Sequence, residues 1–178
     1  MTGAAFALML VATATATASS ANATAAQANR QAAGKAVSFS GHYKGNAALL
    51  IDNGVVTISS VTGKGTGTLV GASTISGKGT SSSSAQCDPF TGTGSIAGAA
   101  AKLNLKVVES KSSGCSSGES GPVTVTFTGL AQVTGGTAKG SGASGTLKFN
   151  GTLKLGGTSG SQNGSYTVVL TGKLALKG

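Results

Sequence analysis

From Lys35 onward the chain alternates apolar and polar residues, and no window carries the helical period. Val123, Val125, Phe127, Gly129, Ala131 and Val133 share one side, with Thr124, Thr126 and Thr128 opposite. Leu147, Phe149, Gly151, Leu153 and Leu155 share another, backed by Lys148, Asn150, Thr152 and Lys154. Tyr166, Val168, Leu170, Gly172, Leu174 and Leu176 repeat the scheme, with Lys173 and Lys177 outside. Leu103 and Leu105 do the same between Lys102, Asn104 and Lys106. Successive side chains of a strand point to opposite faces, so each run has one face to bury. Such a chain must close its apolar faces on one another, as an antiparallel barrel or a sandwich.

The turn residues set the number of segments. Asn53-Gly54 lies between "AALLI" and "VVTIS" and predicts a tight hairpin, and "GGTSGSQNG" (156–164) predicts the last hairpin loop. About eight or nine strands follow, at 36–44, 46–52, 55–70, 73–80, 90–97, 101–109, 122–134, 143–155 and 164–177. Gly129, Gly151 and Gly172 occupy inward positions inside long runs. A missing side chain there lets a strand bend sharply, a device of curved sheets. The expected fold is all-β, a single antiparallel barrel of about eight strands, with a β-sandwich as the alternative. If Leu155 pairs with Tyr166, Phe149 falls across from Gly172 and covers its bare backbone. The segments "GTGTLVGA" (65–72) and "GTGSIAGA" (92–99) echo each other, as a duplication or as one bend made twice.

The first 34 residues are different. "AAFALMLVATATATA" (4–18) is an apolar run followed by small residues in A-x-A spacing, as in a secretory signal peptide, although "MTG" before it has no basic residue. The run is too short and too rich in threonine to span a bilayer well. The expected organisation is a signal peptide at 1–23, a low-complexity linker at 24–34 and a barrel domain at 35–178, in a secreted protein. Two cysteines, Cys87 and Cys115, lie in Ser/Gly-rich loops with no C-x-x-C. An even count in an exported chain predicts one disulfide.

The formal net charge is +9, and beyond Arg30 every basic residue is lysine. Lysine on solvated strand faces keeps them soluble and discourages edge pairing, and it also attracts anionic polymers such as those of a cell envelope. Nucleic acid is not expected: the domain lacks arginine for bidentate phosphate or base contacts, and aromatic residues for base stacking are few at 4%.

One segment is similar to a known family. Val133 to Phe149, "VTGGTAKGSGASGTLKF", resembles the GGTG-(K/R)-F-x-x-A-x-G segment of the dirigent and allene oxide cyclase barrels. It also resembles uncharacterised exported bacterial proteins in which a long hairpin follows. The resemblance covers the last third of the chain and implies an eight-stranded antiparallel barrel with an apolar lumen. Ala138 stands where the family has glycine, and Gly140 where it has an aromatic residue. The arginine and acidic pocket groups of dirigent proteins have no counterpart by motif, so the resemblance implies the fold and not the chemistry.

Three motifs test for an active site. "GCSSG" (114–118) fits G-x-S-x-G with Ser116 central, but the elbow needs a following helix and a downstream histidine, and neither is present in the pattern. "GSGASG" (140–145) fits G-x-G-x-x-G, but "TLKFNGTLKL" after it is a strand, with no helix dipole to meet a phosphate. His42, the sole histidine, sits beside Tyr43, and with Asp52 it supplies the candidate acid–base group. No spacing of His, Cys, Asp and Glu suggests a metal site, and no cofactor is implied. The expected lumen-facing residues are Leu103, Leu105, Val125, Phe127, Leu147, Phe149, Leu153, Tyr166, Val168 and Leu170. Three functions compete: a non-enzymatic barrel holding a small apolar ligand, a barrel enzyme acting on an apolar intermediate through His42 or Tyr43, and an envelope protein whose lysines meet anionic polymer. Enzyme activity requires these side chains to face the lumen.

Overall fold

The computed structural model describes residues 35–118 and 120–177, and the expected signal peptide and linker lie outside them. Nine strands form: β1 (Lys35–Asp52), β2 (Val55–Gly67), β3 (Gly71–Ser82), β4 (Cys87–Gly98), β5 (Ala101–Val107), β6 (Ser113–Ser116), β7 (Val123–Ala138), β8 (Ser144–Leu155) and β9 (Gly160–Leu176). Neighbours in sequence pair antiparallel, apart from β5 and β6. β1 returns to β9 along a ladder from Lys35↔Leu176 to Ile51↔Gly160. The sheet is therefore a closed eight-stranded barrel with one extra strand, and not a sandwich. Closure removes the unpaired edges that an open sheet would expose.

The extra strand is the second half of a broken stave. β5 and β6 both pair with β4 on one side and β7 on the other. Between them the chain leaves the ladder for a single 3₁₀ turn, Glu109–Lys111. The sequence pattern misses β6 because "SGCS" has no apolar alternation; its pairing comes from its neighbours. Cys87 and Cys115 are register partners and form the disulfide, so the bond ties the short half-stave to β4.

Local chemistry explains most boundaries. Asn53 and Gly54 both adopt positive φ (49° and 76°), the requirement of a type I′ hairpin. Gly45 does not separate two strands as expected: β1 runs through it, because the residue faces inward opposite Gly63 and the alternation keeps its phase. In β2 the register slips at Ser59–Ser60, against both β1 and β3. This bulge keeps Val56, Ile58 and Val61 all on the inner side, where strict alternation would turn one of them out. A second slip, at Thr134, bends β7 against β5. Strand β9 starts at Gly160, so its hairpin loop is shorter than expected. "GSGASG" forms the turn between β7 and β8 and the first residues of β8, with no helix.

The expected register of the last hairpin is wrong by two residues. Leu153, not Leu155, faces Tyr166, and Leu147, not Phe149, faces Gly172. A shift of two keeps every side chain on its face, so the pattern alone could not detect it. Phe149 instead lies opposite Gly129, and Phe127 opposite Gly151. Each ring covers the bare backbone it faces: a Cβ on Gly129 would stand 2.7 Å from Phe149 Cζ, and one on Gly151 2.5 Å from Phe127 Cζ. This is aromatic cover over a strand bend.

A smaller buried cluster, Leu49, Val123 and Leu155, lies toward one end of the barrel, and the main core fills the other. Phe39, Val70, Ile96, Leu103, Val133, Leu147 and Leu174 are almost wholly inaccessible there. Val70 comes from the β2–β3 turn and Ala143 from the β7–β8 turn, and both close that end. Both ends of the described chain, Lys35 and Lys177, also lie at the packed end.

The disulfide closes a loop over a sequence separation of 28. A Cys87→Ser/Cys115→Ser variant is expected to lose about 3–4 kcal/mol in denaturant unfolding. Amide protection should fall first at Ser113–Ser116. An unchanged midpoint would show that the backbone ladder alone holds the broken stave.

Candidate apolar cavity and its mouth

The other half of the barrel holds a cavity of about 980 Å³ that opens to solvent. The boundary with the packed end is consistent from strand to strand. Tyr43 is below it and Ala47 above, Ser73 below and Ile75 above, Leu103 below and Leu105 above. On β7 and β8 the division falls between Val133 and Ala131, and between Leu147 and Phe149. Phe90, Phe127 and Phe149 gather at the base, with centroid distances of 5.8 Å and 6.3 Å from Phe149 to the other two. Higher up, Leu49, Ile58, Val125, Leu153 and Leu155 form the wall.

Glycine makes the room. On the inward faces of β3 and β4, Gly77 pairs with Gly94 and Gly79 with Gly92. A Cβ on any of the four would meet the carbonyl oxygen of the facing strand within 2.9 Å. Side chains are thus excluded from this stretch of wall by close strand approach, and the space they would fill stays open. The two echoing segments each set a glycine pair on an inward face. Gly65 and Gly67 admit the Tyr43 ring, while Gly92 and Gly94 bare the cavity wall.

All ten residues expected to face the lumen are on the inner side. Leu103 and Leu147 belong to the packed end, and the other eight line the cavity. Gly129, Gly151 and Gly172 are inward and half-buried. The candidate acid–base group does not assemble. His42 is exposed on the outer face, and Asp52 is exposed at the β1–β2 turn. They are ten residues apart on one strand, roughly 30 Å along it. Tyr43 faces inward but is buried in the packed end, bonded to Ser73 Oγ at 3.0 Å. Ser116 lies half-buried on β6 at the cavity mouth, with no following helix.

Sequence reasoning missed the one acidic residue that lines the cavity among the described residues. Asp88 is buried, at 7% exposure, where β4 begins. Its Oδ1 accepts from Ser82 Oγ at 2.7 Å and Ser84 Oγ at 3.0 Å, and its Oδ2 from the Ala85 amide at 3.1 Å. The Ser82 hydroxyl foremost, with the Ala85 amide and Ser84, holds the carboxyl below its ordinary value, outweighing the burial that pushes it up. The signal was the serine run before "CDPF", since serine hydroxyls fold back onto nearby acceptors.

Among the described residues, no group of three or more His, Cys, Asp or Glu is placed to hold a metal. No described helix is long and apolar enough to cross a membrane. Family models, curated proteins and solved structures give no match to this chain.

The two tyrosines form a natural comparison. Each ring reaches across inward glycines of neighbouring strands. Tyr43 ends on Ser73, which itself donates to the Gly71 carbonyl, whereas the Tyr166 hydroxyl is buried with no partner among the described residues. Burial pushes the Tyr166 hydroxyl up to about 12. Tyr43→Phe is expected to cost about 1 kcal/mol, and Tyr166→Phe to be neutral or stabilising by about 1 kcal/mol. The raised value also predicts that stability is full below the unfolded tyrosine value near 10 and is lost as pH rises toward about 12. Equilibrium unfolding across that window should show a smaller loss in Tyr166→Phe. Equal losses in wild type and variant would contradict the assignment.

Proposed function

We propose that this chain is an exported, non-enzymatic carrier that holds one small apolar ligand in the mouth half of its barrel. The observation that supports it most is the asymmetry of the interior. The main core fills one half, and the other keeps about 980 Å³ lined by leucine, isoleucine, valine and phenylalanine together with glycine and a serine-rich rim. That volume is at the upper end of the usual range for small-molecule sites. A barrel of eight strands is just wide enough to be filled or to hold one such ligand. The disulfide fits an oxidising compartment, and so favours export. The separation of His42 from Asp52, and the burial of Tyr43 away from the cavity, speak against the cyclase-like alternative.

A second reading concerns the outside. Lys35, Lys102, Lys139, Lys173 and Lys177 gather at the packed end. This distribution favours contact with an anionic envelope polymer through the closed end, an attraction that salt would screen.

Titration with a neutral solvatochromic dye such as Nile red tests the carrier reading. A saturable, one-to-one rise in fluorescence is expected. Val125→Phe, which inserts a ring into the cavity without touching the packed end, should weaken binding at least tenfold (~1.4 kcal/mol) with unchanged circular dichroism. No binding by the folded wild type, or equal binding by the variant, would overturn it.

A further inference from the structure

Resting on that carrier reading, we propose that the ligand is a cationic amphiphile, an apolar body with an ammonium head seated at Asp88. Twelve lysines follow Arg30 in the sequence, yet those on the strands alternate outward. Lys78 illustrates this, being exposed between the inward Gly77 and Gly79. Among the described residues Asp88 is the one acidic residue that lines the cavity, and it pairs with no lysine.

The polar atoms around Asp88 have a common sense. Ser82 and Ser84 spend their hydroxyl protons on its Oδ1, and Ser81 spends its proton on the Ser82 and Pro89 carbonyls. A hydroxyl that has donated presents only lone pairs to anything else. Oδ2 accepts the Ala85 amide hydrogen, and the Ser84 amide also favours the ionised carboxylate. This side of the mouth therefore offers acceptors backed by a negative charge held in its ionised form. A donor head carrying positive charge is attracted to that carboxylate, while a carboxylate or phosphate head is repelled by it. Beneath the head, the alkyl or ring body enters the apolar wall.

The net charge of the protein makes the test sharp. At +9, long-range electrostatics favours anionic ligands, so a preference for cations must arise locally. Displacement of bound Nile red is measured near neutral pH with dodecylammonium, dodecanol and dodecanoate, each below its critical micelle concentration. Dodecylammonium is expected to displace the dye at about tenfold lower concentration than dodecanol, with dodecanoate the weakest. Asp88→Asn should bind the amine no better than the alcohol. Should that variant fail to fold, NMR of the wild type decides: the head methylene of bound dodecylammonium is expected to contact Ser84 and Asp88. Dodecanoate matching the amine, a preference that survives in Asp88→Asn, or a head located elsewhere would each overturn the proposal while leaving a carrier that binds the dye. Failure of the dye and all three probes to bind would overturn the carrier reading and this proposal with it.

Discussion

Everything inside this protein depends on the ladder that joins β1 to β9. It runs from Lys35↔Leu176 to Ile51↔Gly160, the full length of the first strand. Without it the inward faces would line an open, curved sheet and lie in water. With it, every backbone group along the seam finds a partner and the apolar faces acquire a shared interior. The seam joins the first and last described strands, so closure brings together residues far apart in sequence. Such non-local pairing is slow to form and favours no single local nucleus.

Closure creates a lumen; side-chain size decides what becomes of it. At the packed end, phenylalanine, leucine, isoleucine and valine are buried almost completely from solvent. Truncating one of these would leave a void that costs about 2–5 kcal/mol. Toward the mouth the same strands carry glycine where they approach closely, at Gly77, Gly79, Gly92 and Gly94, and the space remains. The main core and the open space thus lie toward different ends of one barrel. The packed half holds the staves in place, and the disulfide secures the stave that breaks beside the cavity.

The strand content and the inward faces were legible because alternation is enforced residue by residue. Phe149 and Leu153 had to share a side whatever their partners were. Register was less legible, since moving Tyr166 from Leu155 to Leu153 changes no side chain's face. The bulges at Ser59–Ser60 and Thr134 and the half-stave at Ser113–Ser116 are imposed by neighbouring strands, and their own residues carry no distinctive pattern. His42, Tyr43 and Asp52 attracted notice for their chemistry, but parity on β1 sends the first outward, the second into the packed end and the third to a turn. Asp88 was invisible for a related reason. Its importance comes from burial and from three hydrogen bonds within a serine-rich turn, which composition alone does not reveal.

The half-filled barrel is tested most directly by a crystal structure of the protein pressurised with xenon. Xenon enters apolar cavities that protein atoms leave empty. Bound xenon is expected in the mouth half, among Val125, Phe127, Phe149 and Leu153, with none among Phe39, Leu103, Leu147 and Leu174. Xenon distributed along the whole lumen, or absent from it because side chains fill the mouth half, would contradict a barrel packed at one end and open at the other.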